Sequence, residues 1–276
     1  MAKYRARLPQ LGGELFLTDG GIETSLIFLD GFELPYFAAF DLMKSEKGRQ
    51  GLKAYYARYA ALARDHRLGF VLESPTWRAN PDWAAKLGYD AAALARVNRE
   101  AIDLMVELRA EYEAPHAAMV ISGCLGPRGD GYNPEAPMSG EEAERYHGAQ
   151  IATFADTEAD MVTAITMNYP AEAIGIARAA KKAGMPCAIS FTTETDGKLP
   201  TGESLRQAIE TVDAATDGAP AYYMINCAHP THFRHALDAG ESWTRRVRGI
   251  RANASKRSHA ELDAAPDLDP GDPEEL

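Results

Sequence analysis

The residues best suited to chemistry stand directly after short apolar runs. Asn226 and Cys227 follow the apolar run 221–225, and Pro230 forces a turn soon afterwards. A thiol at the end of a buried strand could bind a metal ion or react as a nucleophile. His229 is a second candidate metal ligand, but the Cys-x-His spacing matches no common zinc finger, and a structural histidine is an open alternative.

Acidic residues stand at the ends of two earlier runs. Asp19 precedes Gly20 and Gly21, with Thr24 close behind, and Glu73 ends the second run. Two glycines let backbone N–H groups approach a ligand closely, which suits a substrate carboxylate, while Asp19 suits an ammonium group. The combination indicates an amino-acid pocket, with an ordinary glycine turn as the alternative. Asp19 and Glu73 could also form an acid/base pair.

Seven apolar runs, separated by amphipathic segments, predict the elements that position these residues. The runs are apolar or β-branched almost throughout, which is typical of strands covered on both faces. They are residues 15–18, 69–72, 117–122, 161–166, 186–191, 221–226 and 248–252. Helical spacing appears at 52–66, 91–112, 140–156, 171–183, 202–215 and 231–238. This alternation predicts an α/β fold with a parallel sheet, and favours a (β/α)8 TIM-type barrel.

The predicted barrel has no candidate for its eighth strand. A closed barrel of this type has eight strands, and no strand-like run follows 248–252. We expect a single barrel domain over residues 1–276, because no internal boundary appears. The acidic, proline-rich tail 264–276 is expected to be a mobile connector or the start of a final helix.

Composition excludes several classes of function. The net charge of −11 leaves no basic stripe to neutralise phosphates, which argues against nucleic acid as a partner. Three cysteines suit no disulfide framework and predict a reducing, cytoplasmic setting. No stretch approaches the roughly 20 apolar residues of a membrane helix, so no membrane partner is expected.

In this order along the chain, the motifs resemble those of the homocysteine S-methyltransferase family. The matching segments include Asp-Gly-Gly at 19–21, Gly-Cys-Leu-Gly-Pro-Arg-Gly at 123–129, Ser-Phe-Thr at 190–192 and Ile-Asn-Cys at 225–227. The similarity runs in order from about residue 16 to residue 255 and therefore covers nearly the whole chain.

The resemblance implies a zinc enzyme that moves a methyl group from a sulfonium or betaine donor to a zinc-bound thiol. With homocysteine as the thiol, the product is methionine. Family members hold zinc through three cysteines, of which Cys227 matches one. The other two form a Gly-Gly-Cys-Cys motif at strand eight, and no such motif occurs up to Leu276. The resemblance therefore implies either a further C-terminal segment that carries these two ligands or a truncated protein that is inactive as a zinc methyltransferase. The expected partners are a small thiol and a methyl donor, with a homo-oligomer also open. The substrate-binding residues implied are Asp19, Gly20, Gly21, Thr24, Glu73, Thr166 and Asn226.

One position departs from the family pattern, and two other functions remain open. The family has a glutamate at the end of strand four, where this sequence has Thr166 and Asn168, so the acceptor thiol is undecided. One alternative is a metal-independent barrel hydrolase or lyase that uses Asp19 and Glu73. The other is a degenerate, non-catalytic paralogue that binds a small amino acid or a partner protein.

Overall fold

Seven strands follow one another in chain order through one parallel sheet in the part of the chain that the structure describes. The computed structural model describes residues 1–134, 136–238 and 240–276. The strands are β1 Phe16–Thr18, β2 Gly69–Glu73, β3 Met119–Leu125, β4 Met161–Met167, β5 Cys187–Thr192, β6 Tyr222–Asn226 and β7 Val247–Arg251. Every predicted apolar run overlaps a strand. The order β1 to β7 is that of a TIM-type barrel lacking one strand, so the predicted fold class is confirmed.

Burial differs between the middle and the ends of the strand order. Every residue of β2 through β6 is buried, as expected for strands covered on both faces. β1 is half-buried, and β7 alternates between half-buried and exposed residues. Ile250, on β7, is 49% exposed. The near-continuous apolar runs of the sequence therefore come from the inner strands of the order.

The helices separate the strands as the periodicity predicts. They are α1 Ile22–Thr24, α2 Glu46–Asp65, α3 Pro81–Lys86, α4 Ala91–Tyr112, α5 Gly140–Ala155, α6 Pro170–Lys182, α7 Leu205–Thr216, α8 Pro230–Leu237 and α9 His259–Asp263. All six predicted helices are present. The sequence prediction missed the short helices α1, α3 and α9. No helix in the described ranges is both long enough and apolar enough to serve as a membrane span.

The missed helix α9 begins with a capping box. The Ser258 hydroxyl accepts a hydrogen bond from the Glu261 N–H, and the Glu261 carboxylate accepts one from the Ser258 N–H. Two N–H groups that a helix start leaves unpaired are thereby satisfied. The Ser-x-x-Glu spacing is visible in the sequence, but a helix of five residues has too little periodicity to reveal itself.

The tail 264–276 forms no helix, so the predicted start of a final helix in this segment is wrong. Its Asp269 carboxylate accepts a hydrogen bond from the Ser255 hydroxyl at 2.7 Å and lies 3.3 Å from the Arg257 guanidinium. Gly271 has φ +63°, and a Cβ at this position would lie 2.1 Å from the Ala254 carbonyl oxygen. The tail therefore packs on the segment after β7, and a glycine is required at the point of contact.

The chain forms two compact units. The first unit comprises residues 1–126, 146–163 and 180–186, and the second comprises residues 127–145, 164–179 and 187–276. β1 to β3 lie in the first unit, and β5 to β7 lie in the second. The expectation of a single domain over 1–276 stays a prediction.

The N-terminal segment is fastened to the first unit by hydrogen bonds. The Tyr4 N–H donates to the fully buried carboxylate of Asp160 at 2.6 Å, and Arg109 donates to the same carboxylate at 2.9 Å. The Arg5 guanidinium donates to three backbone carbonyls, those of Ala155, Thr157 and Ala159. Met1 itself is fully exposed.

Candidate active site

Asp19 and Gly20 occupy a tightly packed turn directly after β1. The Asp19 carboxylate is 4% exposed and accepts a hydrogen bond from the Tyr55 hydroxyl at 3.1 Å. A Cβ at position 20 would lie 2.8 Å from the Tyr59 hydroxyl oxygen. A side chain at position 20 would therefore require the ring of Tyr59, which belongs to α2, to shift.

Gly21 and Thr24 lie at the two ends of α1. A Cβ at position 21 would contact the Thr24 side chain at 3.5 Å, which is ordinary van der Waals distance, so a side chain would fit there. No described residue accepts a hydrogen bond from the N–H of Gly20 or Gly21. The turn thus leaves two backbone donors available to a ligand, as the amino-acid pocket requires.

Carboxylates gather around one buried tyrosine of the first unit. The pKa of Tyr56 is raised well above its ordinary value, first by burial and then by the negative charges of neighbours that include Asp19, Glu23 and Glu73. The Glu73 side chain is only 3% exposed and ends β2. The structure therefore brings Asp19 and Glu73, the predicted acidic pair, into one negative region. Such a region favours a cationic ligand group.

The segment after β2 is held in place by side-chain hydrogen bonds. The Thr76 hydroxyl donates to the Cys124 carbonyl at 2.7 Å, and the Cys124 N–H donates to the Ser74 hydroxyl at 3.0 Å. Cys124 is buried. The ring of Trp77, in the same segment, has the guanidinium of its neighbour Arg78 4.1 Å from its centroid. That ring already contacts a cation supplied by the protein.

Asn226 is the centre of a buried hydrogen-bond network in the second unit. Its amide oxygen accepts from the Thr166 N–H at 3.0 Å and from the Ser190 hydroxyl at 2.6 Å. Its amide nitrogen donates to the Thr166 hydroxyl at 3.0 Å and to the Cys227 sulfur at 3.1 Å. Thr166, Asn226 and Cys227, three predicted site residues, are thereby brought into direct contact.

Two residues of this network have left-handed backbone conformations. Thr166 has φ +65° and Cys227 has φ +55°. A positive φ is unfavourable for any side chain, and more so for a β-branched one such as threonine. Strain of this kind persists only where the surrounding structure imposes it, and it is concentrated at functional sites. The network around Asn226 supplies that constraint.

Cys227 differs from the other two cysteines in its surroundings. It is partly exposed, whereas Cys124 and Cys187 are buried. Burial raises the pKa of the Cys187 thiol to about 12, which keeps it protonated at neutral pH. Cys227 is therefore the thiol that an external reagent or ligand can reach.

His229 is buried and caps the start of α8. Its Nδ1 lies 3.3 Å from the Thr231 N–H and 2.8 Å from the Thr231 hydroxyl. This capping contact gives His229 a structural role at the start of α8. Among the described residues, no group of three His, Cys, Asp or Glu side chains could hold a metal ion. Cys227 is thus a potential metal ligand, but the described residues do not supply the other ligands of a complete metal site.

Buried polar atoms near the network were not assigned from the sequence. Thr192 pairs in register with Asn226 and is fully buried, yet its hydroxyl has no hydrogen-bond partner. The Thr193 hydroxyl and the Asn168 amide oxygen are also buried without a partner. Buried polar atoms without partners are costly, so a bound ligand or water is the expected partner. The signal in the sequence was the polar series Ser190, Thr192 and Thr193 in and just after an otherwise apolar strand.

Comparisons with known proteins identify a matching family and similar solved structures. The family model of homocysteine S-methyltransferase matches residues 16–271. The crystal structure of the homocysteine methyltransferase MmuM from Escherichia coli in its metallated form is similar, with a TM-score of 0.68 and 18% identity over 95% of this chain and 98% of that chain. Its oxidized form gives the same values, and its apo form gives a TM-score of 0.60 with 17% identity over the same shares. No curated protein sequence matches the chain.

The solved structures agree with the α/β fold found here. The family match extends over almost all of the strands and helices, including the turn after β1 and the end of β6. An enzyme of this kind was the prediction from the motifs, and the match confirms it. We conclude that the chain belongs to the homocysteine S-methyltransferase family.

Proposed function

We propose that this protein transfers a methyl group from a sulfonium or betaine donor to the sulfur of a small thiol, with homocysteine as the first acceptor to test. The observation that carries the proposal is the contact between the Asn226 amide and the Cys227 sulfur at the end of β6. In this family the matching position is a cysteine of the active site. In this protein the Cys227 backbone is strained, its sulfur accepts a hydrogen bond, and the residue is partly exposed.

Within the first unit, we propose that the end of β2 and the turn after β1 bind an amino-acid group. The carboxylates of Asp19 and Glu73 lie in one negative region and suit the ammonium group. The free N–H groups of Gly20 and Gly21 suit the carboxylate group, and Thr24 lies beside them. The ammonium and carboxylate of such a group would thus each face protein groups of opposite polarity.

The second unit is proposed to serve the reacting sulfur. Asn226 fixes the direction of the Cys227 side chain, and Thr166 holds the Asn226 amide in place. The Thr192 hydroxyl is proposed to bind a polar group of a substrate, because it is buried and has no protein partner. A Thr192→Val variant should then bind substrate more weakly while remaining folded.

We also propose zinc as the cofactor, with Cys227 as one of its ligands. The described residues provide no set of three ligands, so they do not form a zinc site by themselves. His229 is a weaker candidate because its Nδ1 already caps α8, which leaves Nε2 for a metal. We also propose a cytoplasmic location and a homo-oligomeric state.

The test is methyl transfer measured with the intact protein. Homocysteine is incubated with a sulfonium donor or a betaine donor, with and without added zinc, and methionine is quantified by mass spectrometry. The expected result is methionine formation that Cys227→Ser abolishes. Tight binding of homocysteine without turnover would instead indicate the degenerate paralogue. A hydrolase or lyase would keep its activity in Cys227→Ser and lose it in Glu73→Gln.

A further inference from the structure

His259 connects three segments of the second unit. It is the first residue of α9, and its ring is buried. Its Nε2 lies 2.6 Å from the backbone carbonyl oxygen of Cys227, and its Nδ1 lies 3.1 Å from a carboxylate oxygen of Glu194. A carbonyl oxygen can only accept, so Nε2 carries the proton of this hydrogen bond.

The ring of His259 is also fixed on its face. The Tyr132 ring lies against it, with the ring centroids 4.1 Å apart and the planes 30° from parallel. The capping box of Ser258 and Glu261 fixes the backbone from which the side chain projects. With both nitrogens and one face in contact, the ring has little freedom to rotate.

The peptide of Cys227 needs such support because of its left-handed conformation. Its N–H donates to the Arg251 carbonyl at 3.1 Å, and its own carbonyl accepts from Asn253 at 3.2 Å as well as from His259. The direction of the sulfur depends on the orientation of this peptide, because the side chain leaves the same Cα. Losing a hydrogen bond would let the peptide relax toward a favourable φ and turn the sulfur away from Asn226.

We propose that His259 is a positioning residue for Cys227. It holds the carbonyl of that residue, Glu194 orients the imidazole ring, and together they direct the sulfur toward the Asn226 amide. The inference rests on the proposed function only in giving the Cys227 sulfur a role. The hydrogen bonds themselves are features of the second unit.

The test measures the reactivity of the Cys227 thiol toward iodoacetamide at fixed pH, by intact mass spectrometry. In this reaction the thiolate attacks the carbon that bears iodine, and iodide leaves. Cys124 and Cys187 are buried, and Cys227→Ser gives the background. The expected result is that His259→Leu lowers the alkylation rate about tenfold, the scale seen for residues that orient a ligand. His259→Gln keeps an N–H donor and should restore most of the rate.

The matched control is a histidine that contacts a different carbonyl. His232 Nε2 lies 3.1 Å from the Lys256 carbonyl oxygen, so His232→Leu should leave the alkylation rate at the wild-type value. A wild-type rate in folded His259→Leu, or a rate in His259→Gln as low as in His259→Leu, would overturn the proposal.

If His259→Leu does not fold, Glu194→Leu provides the second test. This variant releases the ring without altering His259 or Cys227, and it should lower the rate in the same direction by a smaller factor. An unchanged rate would overturn the positioning role. Absence of methyl transfer in the wild-type protein would count against the proposed function alone, because the alkylation assay does not depend on it.

Discussion

Replacing Asn226 with leucine should destabilise the protein strongly. Leucine has nearly the same shape as asparagine but forms no hydrogen bonds. Three buried groups would lose their partner, namely the Thr166 N–H, the Thr166 hydroxyl and the Ser190 hydroxyl. An unsatisfied buried polar group costs about 1–3 kcal/mol, and the hydroxyls can rotate toward other acceptors. The expected loss of unfolding free energy is therefore about 3–6 kcal/mol.

Thermal unfolding followed by circular dichroism measures this loss. For a chain of this size, 1 kcal/mol shifts the midpoint by roughly 2–4 °C, so the midpoint of Asn226→Leu should fall by roughly 6–24 °C. Ser190→Ala removes one hydrogen bond of the same network and should cost about 1 kcal/mol.

The matched control is Thr192→Val at the paired register position. Thr192 is as deeply buried as Asn226, but its hydroxyl has no partner, so the valine variant should be at least as stable as the wild type. The reasoning would be refuted if Asn226→Leu cost less than about 1 kcal/mol. It would equally be refuted if Thr192→Val cost as much as Asn226→Leu.

Three further predictions concern single residues. Cys227 has φ +55°, so the Cys227→Gly variant should have a free energy of unfolding about 1 kcal/mol higher than that of Cys227→Ala, measured by urea unfolding. The opposite order would contradict the left-handed strain. Arg109→Leu leaves the buried Asp160 carboxylate without its ion pair and should lower the free energy of unfolding by about 3–5 kcal/mol. A thermal unfolding midpoint within about 2 °C of the wild-type value would contradict this prediction. Burial alone would raise the pKa of Glu113, but hydrogen bonds from Lys3 and the Tyr4 hydroxyl lower it below its usual value. Its carboxylate therefore stabilises the fold above about pH 4.3. The melting-point advantage over Glu113→Gln should shrink as pH falls below that value, and a constant difference would contradict the shift.

The strands were predictable because their sequences are apolar over their whole length. β2 to β6 are buried throughout, so the hydrophobic run and the strand coincide. β3 Met119–Leu125 extends beyond the predicted run 117–122 because Gly123 and Cys124, which look like loop residues, pack inside. Short helices such as α3 were missed, since six residues offer less than two turns of periodicity.

The candidate site was predictable in its residues but not in its connections. Asn226, Cys227 and Thr166 were named from motifs at strand ends, and they do touch. The left-handed φ of Thr166 has no signal in the sequence, because threonine rarely adopts it. His259 was also invisible, since its contact with Cys227 spans 32 positions and involves a backbone carbonyl.

The fastening of the N-terminal segment bears on how the protein should be produced. An affinity tag fused ahead of Met1 starts from an exposed position and breaks no buried contact. A shortened protein that begins at residue 8 would lack Tyr4 and Arg5. The Asp160 carboxylate would lose one hydrogen-bond donor, and three backbone carbonyls at residues 155–159 would lose the Arg5 guanidinium. Protease sites for tag removal are therefore best placed upstream of Lys3.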